Sequence, residues 1–112
     1  MNKQMALGVL VVGVAGVAAA VAAAVSPGVE VKLFQFKPTR IEAKPGAEVQ
    51  WTNRDDITHT VTAGKPGAPQ SAFRLVLAGR GATRSATFAG PGDYPYFCER
   101  HPDMRGEIHI EP

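Results

Sequence analysis

The sequence predicts an all-β sandwich of seven to eight short strands, preceded by an N-terminal apolar helix. Three observations carry that expectation. From Val29 onward, apolar and polar residues alternate with period two. Twelve Gly and nine Pro in 112 residues break the chain at short intervals, which suits a turn-rich β domain better than a helical bundle. Beyond residue 25, no stretch repeats its apolar residues at helical spacing.

The first element stands apart from the rest. Met1-Asn2-Lys3-Gln4 is a short polar start with one positive charge, and Met5 to Val25 then runs without a polar or charged side chain. Ala22-Ala23-Ala24 matches the small-residue cleavage site of a secretory signal. The run also reaches the roughly 20 residues needed to span a bilayer. It is longer than a usual signal core of about 7–15 residues, whereas its alanines and glycines weaken the anchor reading. Residues 1–25 are therefore expected to be a signal peptide or an N-terminal membrane anchor. Either one places the domain of residues 26–112 outside the cytoplasm, in a periplasmic or other extracytoplasmic space, with Lys3 on the cytoplasmic side.

The strands follow. Val29, Val31 and Leu33 alternate with Glu30 and Lys32. The phase then slips to Phe34 and Phe36, which predicts a bulge or bend at Leu33-Phe34. Pro38 ends this segment. Ile41 to Lys44 is a second strand, closed by Pro45-Gly46. Val49 and Trp51 define a third, and Asn53 to Thr58 reads as a polar turn. A fourth strand covers His59 to Ala63, with Thr60 and Thr62 facing away from Val61. Gly64 to Pro69 reads as a loop by composition. Phe73 to Leu77 and Thr83 to Phe88 are the fifth and sixth strands, separated by Gly79-Arg80-Gly81. After the turn Gly90-Pro91-Gly92-Asp93, Tyr94, Tyr96 and Cys98 share one face of the seventh. Pro95 cannot donate to a ladder, so that strand is expected to be partly an edge or to carry a bulge. Arg105 to Glu111 closes the domain, with Ile108 and Ile110 inward.

Composition excludes some functions. The net charge is +2 and 20% of residues are charged, without the clustered basic face that nucleic-acid binding requires. Exported domains of this size often rely on disulfides. Cys98 is the single cysteine, so no internal disulfide can form. A lone cysteine in an oxidising compartment is a liability or a ligand. A domain this small gains from a bound metal.

The stretch Tyr96-Phe97-Cys98-Glu99-Arg100-His101-Pro102-Asp103-Met104 carries the chemistry. Cys98, His101 and Met104 recur every three residues after a strand, so one tight loop can turn all three toward a point. A thiolate, an imidazole and a thioether form a soft donor set that selects copper over magnesium, calcium or manganese. Zinc is disfavoured, because its protein sites use Cys, His and carboxylates. A trigonal His2Cys plane with a weak axial Met needs a second imidazole. His59, at the start of a strand after a polar turn, is the candidate. His109, between Glu107 and Glu111 on an outward face, reads as a surface histidine. Phe34, Phe36, Trp51, Tyr94, Tyr96 and Phe97 are expected in the core.

These residues resemble the cupredoxins, the type 1 (blue) copper proteins, and most closely the amicyanin and plastocyanin group. The resemblance rests on Cys98-x2-His101-x2-Met104 after an aromatic strand, and on Trp51-Thr52-Asn53-Arg54 followed by His59, Val61 and Gly64. Gly92-Asp93-Tyr94 and Met104-Arg105-Gly106 match as well. It implies a Greek-key β-sandwich with one copper ion near one end, held by His59, Cys98, His101 and Met104. It further implies a monomeric electron carrier, not an enzyme, which exchanges single electrons with redox partner proteins through the exposed edge of His101. By the same resemblance Asn53 would brace the ligand loop near Cys98. Thr58, Thr60, Arg100 and Asp103 depart from the group's usual residues without removing a ligand, and they bear on docking and tuning.

Two rival functions are weaker. A copper delivery module would be expected to carry extra exposed Met and His, but Met1 and Met5 lie in the export segment and leave only Met104. A copper enzyme would need an open coordination position or a second metal, and only His109 remains once the site is built.

Overall fold

The computed structural model describes residues 26–112. The apolar segment, with the helix and the signal or anchor expected there, lies outside the described residues. Among the described residues, no helix is long and apolar enough to cross a membrane.

Nine strands form among these residues: β1 (Gly28–Lys32), β2 (Gln35–Lys37), β3 (Arg40–Ala43), β4 (Ala47–Asn53), β5 (His59–Lys65), β6 (Ala68–Leu77), β7 (Thr83–Phe88), β8 (Gly92–Phe97) and β9 (Arg105–Ile110). They make two sheets, a five-stranded one in the order β3-β9-β8-β5-β6 and a four-stranded one in the order β2-β1-β4-β7. Most neighbours are antiparallel. The exceptions are β1 beside β4 and β3 beside β9, which run parallel.

The expected seven to eight strands become nine because the chain reverses at Leu33-Phe34 instead of bulging. Lys32 pairs with Gln35 and Val31 with Phe36, leaving Leu33 and Phe34 as a two-residue hairpin loop. Both have positive φ, 54° and 59°, the pattern of a type I′ turn. Bulky residues are poor choices for such a turn, so the sequence does not announce it.

A second correction concerns residues 64–69, expected to be a loop. Gly64 pairs with Pro69 and Lys65 with Ala68, so Pro66-Gly67 is a tight turn inside a long β5–β6 hairpin. The register shifts between Thr62 and Gly64. A Cβ on Gly64 would meet the Ala68 carbonyl oxygen at 2.6 Å, and its φ is +102°. Glycine is required at that bulge. Pro95 sits as expected: β5 meets β8 only at Phe97 and Tyr96, so the N–H that proline lacks has no β5 partner there.

The core between the sheets is built by alternation. Val29 and Val31 of β1, Val49 and Trp51 of β4, and Ile108 and Ile110 of β9 point inward and are fully buried or nearly so. Full burial of such a side chain stabilises by about 1.5–3 kcal/mol relative to exposure. Tyr96 lies edge-on to Trp51 and Phe36, with ring centroids 5.5 and 4.8 Å apart. Its hydroxyl and the Trp51 indole N–H are buried without a hydrogen-bond partner. Burial pushes the Tyr96 phenol up to about 12. Phe34 departs from the expected core set: it is 47% exposed, with Leu33 and Ile57 the other exposed large apolar residues among the described residues.

Candidate metal centre

The ligand loop follows β8 and folds as two consecutive turns. The Cys98 carbonyl accepts the His101 N–H, and the His101 carbonyl accepts the Met104 N–H, at 3.3 and 2.8 Å. The Cys98 N–H then donates to the Met104 carbonyl at 3.1 Å and closes the loop. The three-residue spacing therefore has a physical basis, since each of these residues opens or closes a turn. Cys98 and Met104 are buried and His101 is half-buried.

His59 comes from the other side, at the first position of β5. Its ring is fully buried. Nδ1 lies 3.7 Å from the Cys98 sulfur, and Nε2 lies 2.8 Å from an Asp55 carboxylate oxygen. An ionised carboxylate only accepts, so Nε2 carries the proton and Nδ1 presents its lone pair to Cys98. Such a carboxylate orients a metal-binding imidazole and fixes its tautomer. Burial would raise the Asp55 pKa. The backbone N–H groups of Phe34 and Leu33 and the His59 ring outweigh it, and the carboxyl sits below its ordinary value.

The ligand atoms of His59, Cys98 and His101 all lie within 4.8 Å of one another. His101 Nδ1 is buried and has no hydrogen-bond partner. A buried polar nitrogen left unpaired is costly, and the His101 ring stands beside the Cys98 sulfur and a second imidazole. A soft ion such as copper is what this set of donors fits. Met104 lies buried at the end of the same loop. His109 takes no part: it pairs with Asp93 at 2.5 Å on the surface.

Cys98 is further fixed by β5. The Thr60 N–H donates to the sulfur at 3.4 Å, and the Thr60 hydroxyl accepts the Glu99 N–H at 2.8 Å. The Glu99 carboxylate accepts from the Thr62 hydroxyl at 2.6 Å and from Arg74 at 2.7 and 3.0 Å. Hydrogen bonds from Arg74 and then Thr62 hold the Glu99 carboxyl at about 2. Thr60 and Thr62, which face away from the core as expected, are buried nonetheless.

Asn53 braces a different loop from the one the resemblance implied. Its amide donates to the carbonyls of Ile57 and Leu77 at 2.8 and 3.1 Å, and its oxygen accepts the Asp55 N–H at 2.8 Å. It shapes the turn that delivers His59, while Thr60 takes the place beside Cys98. The sequence reading also missed Asp55, Glu99 and Arg74. A carboxylate four residues before His59 was a visible signal. Nothing local marks Arg74, which reaches Glu99 only because β6 folds back on β5.

Comparison with known proteins agrees with this geometry. The family described as "Copper binding proteins, plastocyanin/azurin family" matches residues 23–111. Amicyanin-alpha of Methylorubrum extorquens is 33% identical over 100 residues, covering 87% of this chain and 83% of that protein. Amicyanin of Paracoccus versutus is 30% identical over 83 residues, covering 74% of this chain and 63% of that protein. Chloroplastic plastocyanin of Tetradesmus obliquus is 30% identical over 114 residues, covering 95% and 79%. Among solved structures, a methionine-to-alanine variant of amicyanin in its Cu(I) form superposes with a TM-score of 0.68 at 25% identity, covering 77% of this chain and 82% of its own. A purple cupredoxin from Nitrosopumilus maritimus, at 21% identity and a TM-score of 0.70, shares the fold.

Proposed function

This chain belongs to the plastocyanin/azurin family of copper-binding proteins, a cupredoxin most like amicyanin, and from that premise we propose that residues 26–112 form a one-electron carrier with His59, Cys98, His101 and Met104 as its ligands. The observation that carries this reading is the convergence of two imidazoles and one thiol within 4.8 Å, although His59 and Cys98 stand 39 residues apart in the chain.

A type 1 copper ion held by these residues would supply one-electron chemistry between Cu(II) and Cu(I). The chain's own part is to avoid rearrangement. Cys98 binds as a thiolate, and the Thr60 N–H on its sulfur offsets part of that negative charge. His59 is held by Asp55 in one tautomer. Met104, buried at the end of the same loop, would offer its thioether as the fourth and weakest donor. His101 is the half-buried ligand, and its outer edge is the path by which an electron reaches a redox partner protein.

The long apolar run supports work outside the cytoplasm, with residues 1–25 as a signal or an anchor and the rest as a monomeric domain. Cell fractionation together with the mass of the mature chain tests that placement.

The central test is to add Cu(II) to the purified protein and to Cys98→Ser, and to record visible and EPR spectra. An intense blue band in the first, absent from the second, is expected. A weak, pale spectrum in both overturns the reading.

A further inference from the structure

Phe34 is exposed to solvent on one side, yet its ring sits on both ligand imidazoles. Its centroid lies 4.6 Å from that of His101 and 5.4 Å from that of His59, with the rings near perpendicular at 78° and 86°. The two imidazoles themselves are 5.5 Å apart. Edge-to-face contacts at such distances are attractive and directional.

The backbone that delivers the ring is unusual. Leu33 and Phe34 occupy the central positions of the β1–β2 turn with φ of 54° and 59°. Asn-Gly is the easy solution there, and bulky residues at positive φ are outliers. Backbone outliers persist where the surroundings over-determine them. Here the determinant is one carboxylate. Asp55 accepts the Leu33 N–H at 2.9 Å through one oxygen, and the Phe34 N–H at 3.1 Å and His59 Nε2 at 2.8 Å through the other. The turn and the first imidazole are thereby tied to a single group.

Beside Phe34 lies an open groove of about 540 Å³, walled also by Gln35, Arg100, His101, Pro102, Asp103 and Met104. The half-buried His101 ring borders that space, whereas His59, in contact with the Phe34 ring, is fully buried and does not line it.

We propose that the Leu33-Phe34 turn is a ligand clamp: Asp55 locks the turn to His59, and the Phe34 ring orients His101 and keeps water from the inner faces of both imidazoles. This rests on the reading that His59 and His101 hold copper. A thiolate site carries no net charge with Cu(I) and one positive charge with Cu(II). Hydrocarbon in place of water disfavours the charged state, so Phe34 raises the reduction potential. A role confined to offering an apolar surface would need neither the ring nor the left-handed backbone.

The test compares the full chain with Phe34→Ala, Phe34→Leu and Phe34→Tyr. It uses voltammetry of the copper-loaded proteins and NMR of the His101 ring in the Cu(I) and metal-free states. Phe34→Ala should prefer Cu(II) several-fold more than the parent, and Phe34→Leu, which keeps hydrocarbon there, less so, where tenfold reads as about 59 mV downward for one electron. Both should also show shifted, broadened His101 ring signals, and Phe34→Tyr should restore potential and signals. Parent-like potential and His101 signals in Phe34→Ala overturn the clamp. If the parent binds copper without a thiolate band, the copper reading fails instead. The metal-free spectra then decide the clamp alone, altered His101 signals in Phe34→Ala supporting it and unaltered ones overturning it.

Discussion

The Thr60 N–H points at the Cys98 sulfur from 3.4 Å away, across a separation of 38 residues. The same residue's hydroxyl accepts the Glu99 N–H, so Thr60 grips the ligand loop on both sides of the Cys98 carbonyl. The position after His59 therefore controls the surroundings of the Cys98 sulfur.

Replacing Thr60 by Val keeps the backbone donor and removes the hydroxyl that aligns Glu99. The Cys98 sulfur then sits more loosely under the Thr60 N–H. A weaker hydrogen bond leaves more charge on sulfur and favours Cu(II). The reduction potential is expected to fall in voltammetry, with a shift of the thiolate charge-transfer band. An unchanged band and potential would show that the hydroxyl does not transmit to the sulfur.

Asn53→Ala is expected to destabilise the metal-free protein by about 2 kcal/mol or more, since it leaves buried partners of three hydrogen bonds unmatched. Urea denaturation monitored by Trp51 fluorescence measures this. The turn carrying Asp55 loosens at the same time, so copper affinity should drop alongside stability.

Gly106→Ala would place a Cβ 2.3 Å from the Tyr96 ring and 2.4 Å from its hydroxyl. Tyr96 is 1% exposed and packed against Trp51 and Phe36, so it has no room to give way. Overpacking of this kind costs about 1–3 kcal/mol or more. A variant melting at the parent temperature would mean that the ring moves freely.

Acid stability depends on Glu99. In the unfolded chain its carboxyl binds a proton near 4.5, and in the folded protein near 2, held down chiefly by Arg74. Between those values the unfolded state binds more protons. The stabilisation is complete above about 4.5 and is lost as pH falls toward about 2. Metal-free Glu99→Gln should accordingly lose less stability than the parent between pH 6 and pH 3 in urea titrations. Equal losses would remove Glu99 from the account.

Leu33→Gly should raise the melting temperature of the metal-free protein. A left-handed backbone costs an L-residue roughly 1–2 kcal/mol and glycine almost nothing. Leu33 is 66% exposed and gives up little burial. A net gain of about 0.5–1 kcal/mol, or a few degrees by calorimetry, is expected. A lower melting temperature would show that the turn is not strained.

Much of the domain was legible along the chain. The alternation in Val29–Val31, Val49–Trp51 and Ile108–Ile110 names the inward faces, because a side-chain period of two leaves one phase for the core. At Leu33-Phe34 the phase slip suggests a bulge or bend where the chain makes a hairpin turn, because turn chemistry is normally signalled by small residues. The β5–β6 hairpin was misread because Gly64, Pro66, Gly67 and Pro69 are as common in loops as in bulged hairpins.

Cys98, His101 and Met104 share a loop, so hydrogen bonds between neighbours in sequence set their spacing, and a linear reading finds them. Softness of the donors then points to copper without reference to any fold. What joins His59 to that loop, Asp55 to the Leu33-Phe34 turn, and Arg74 to Glu99 is contact between segments more than twenty residues apart. Such contacts leave no periodic trace in the chain. They arise when β5, β6 and β8 join one sheet and the second sheet packs on it with its β1–β2 turn at the same end.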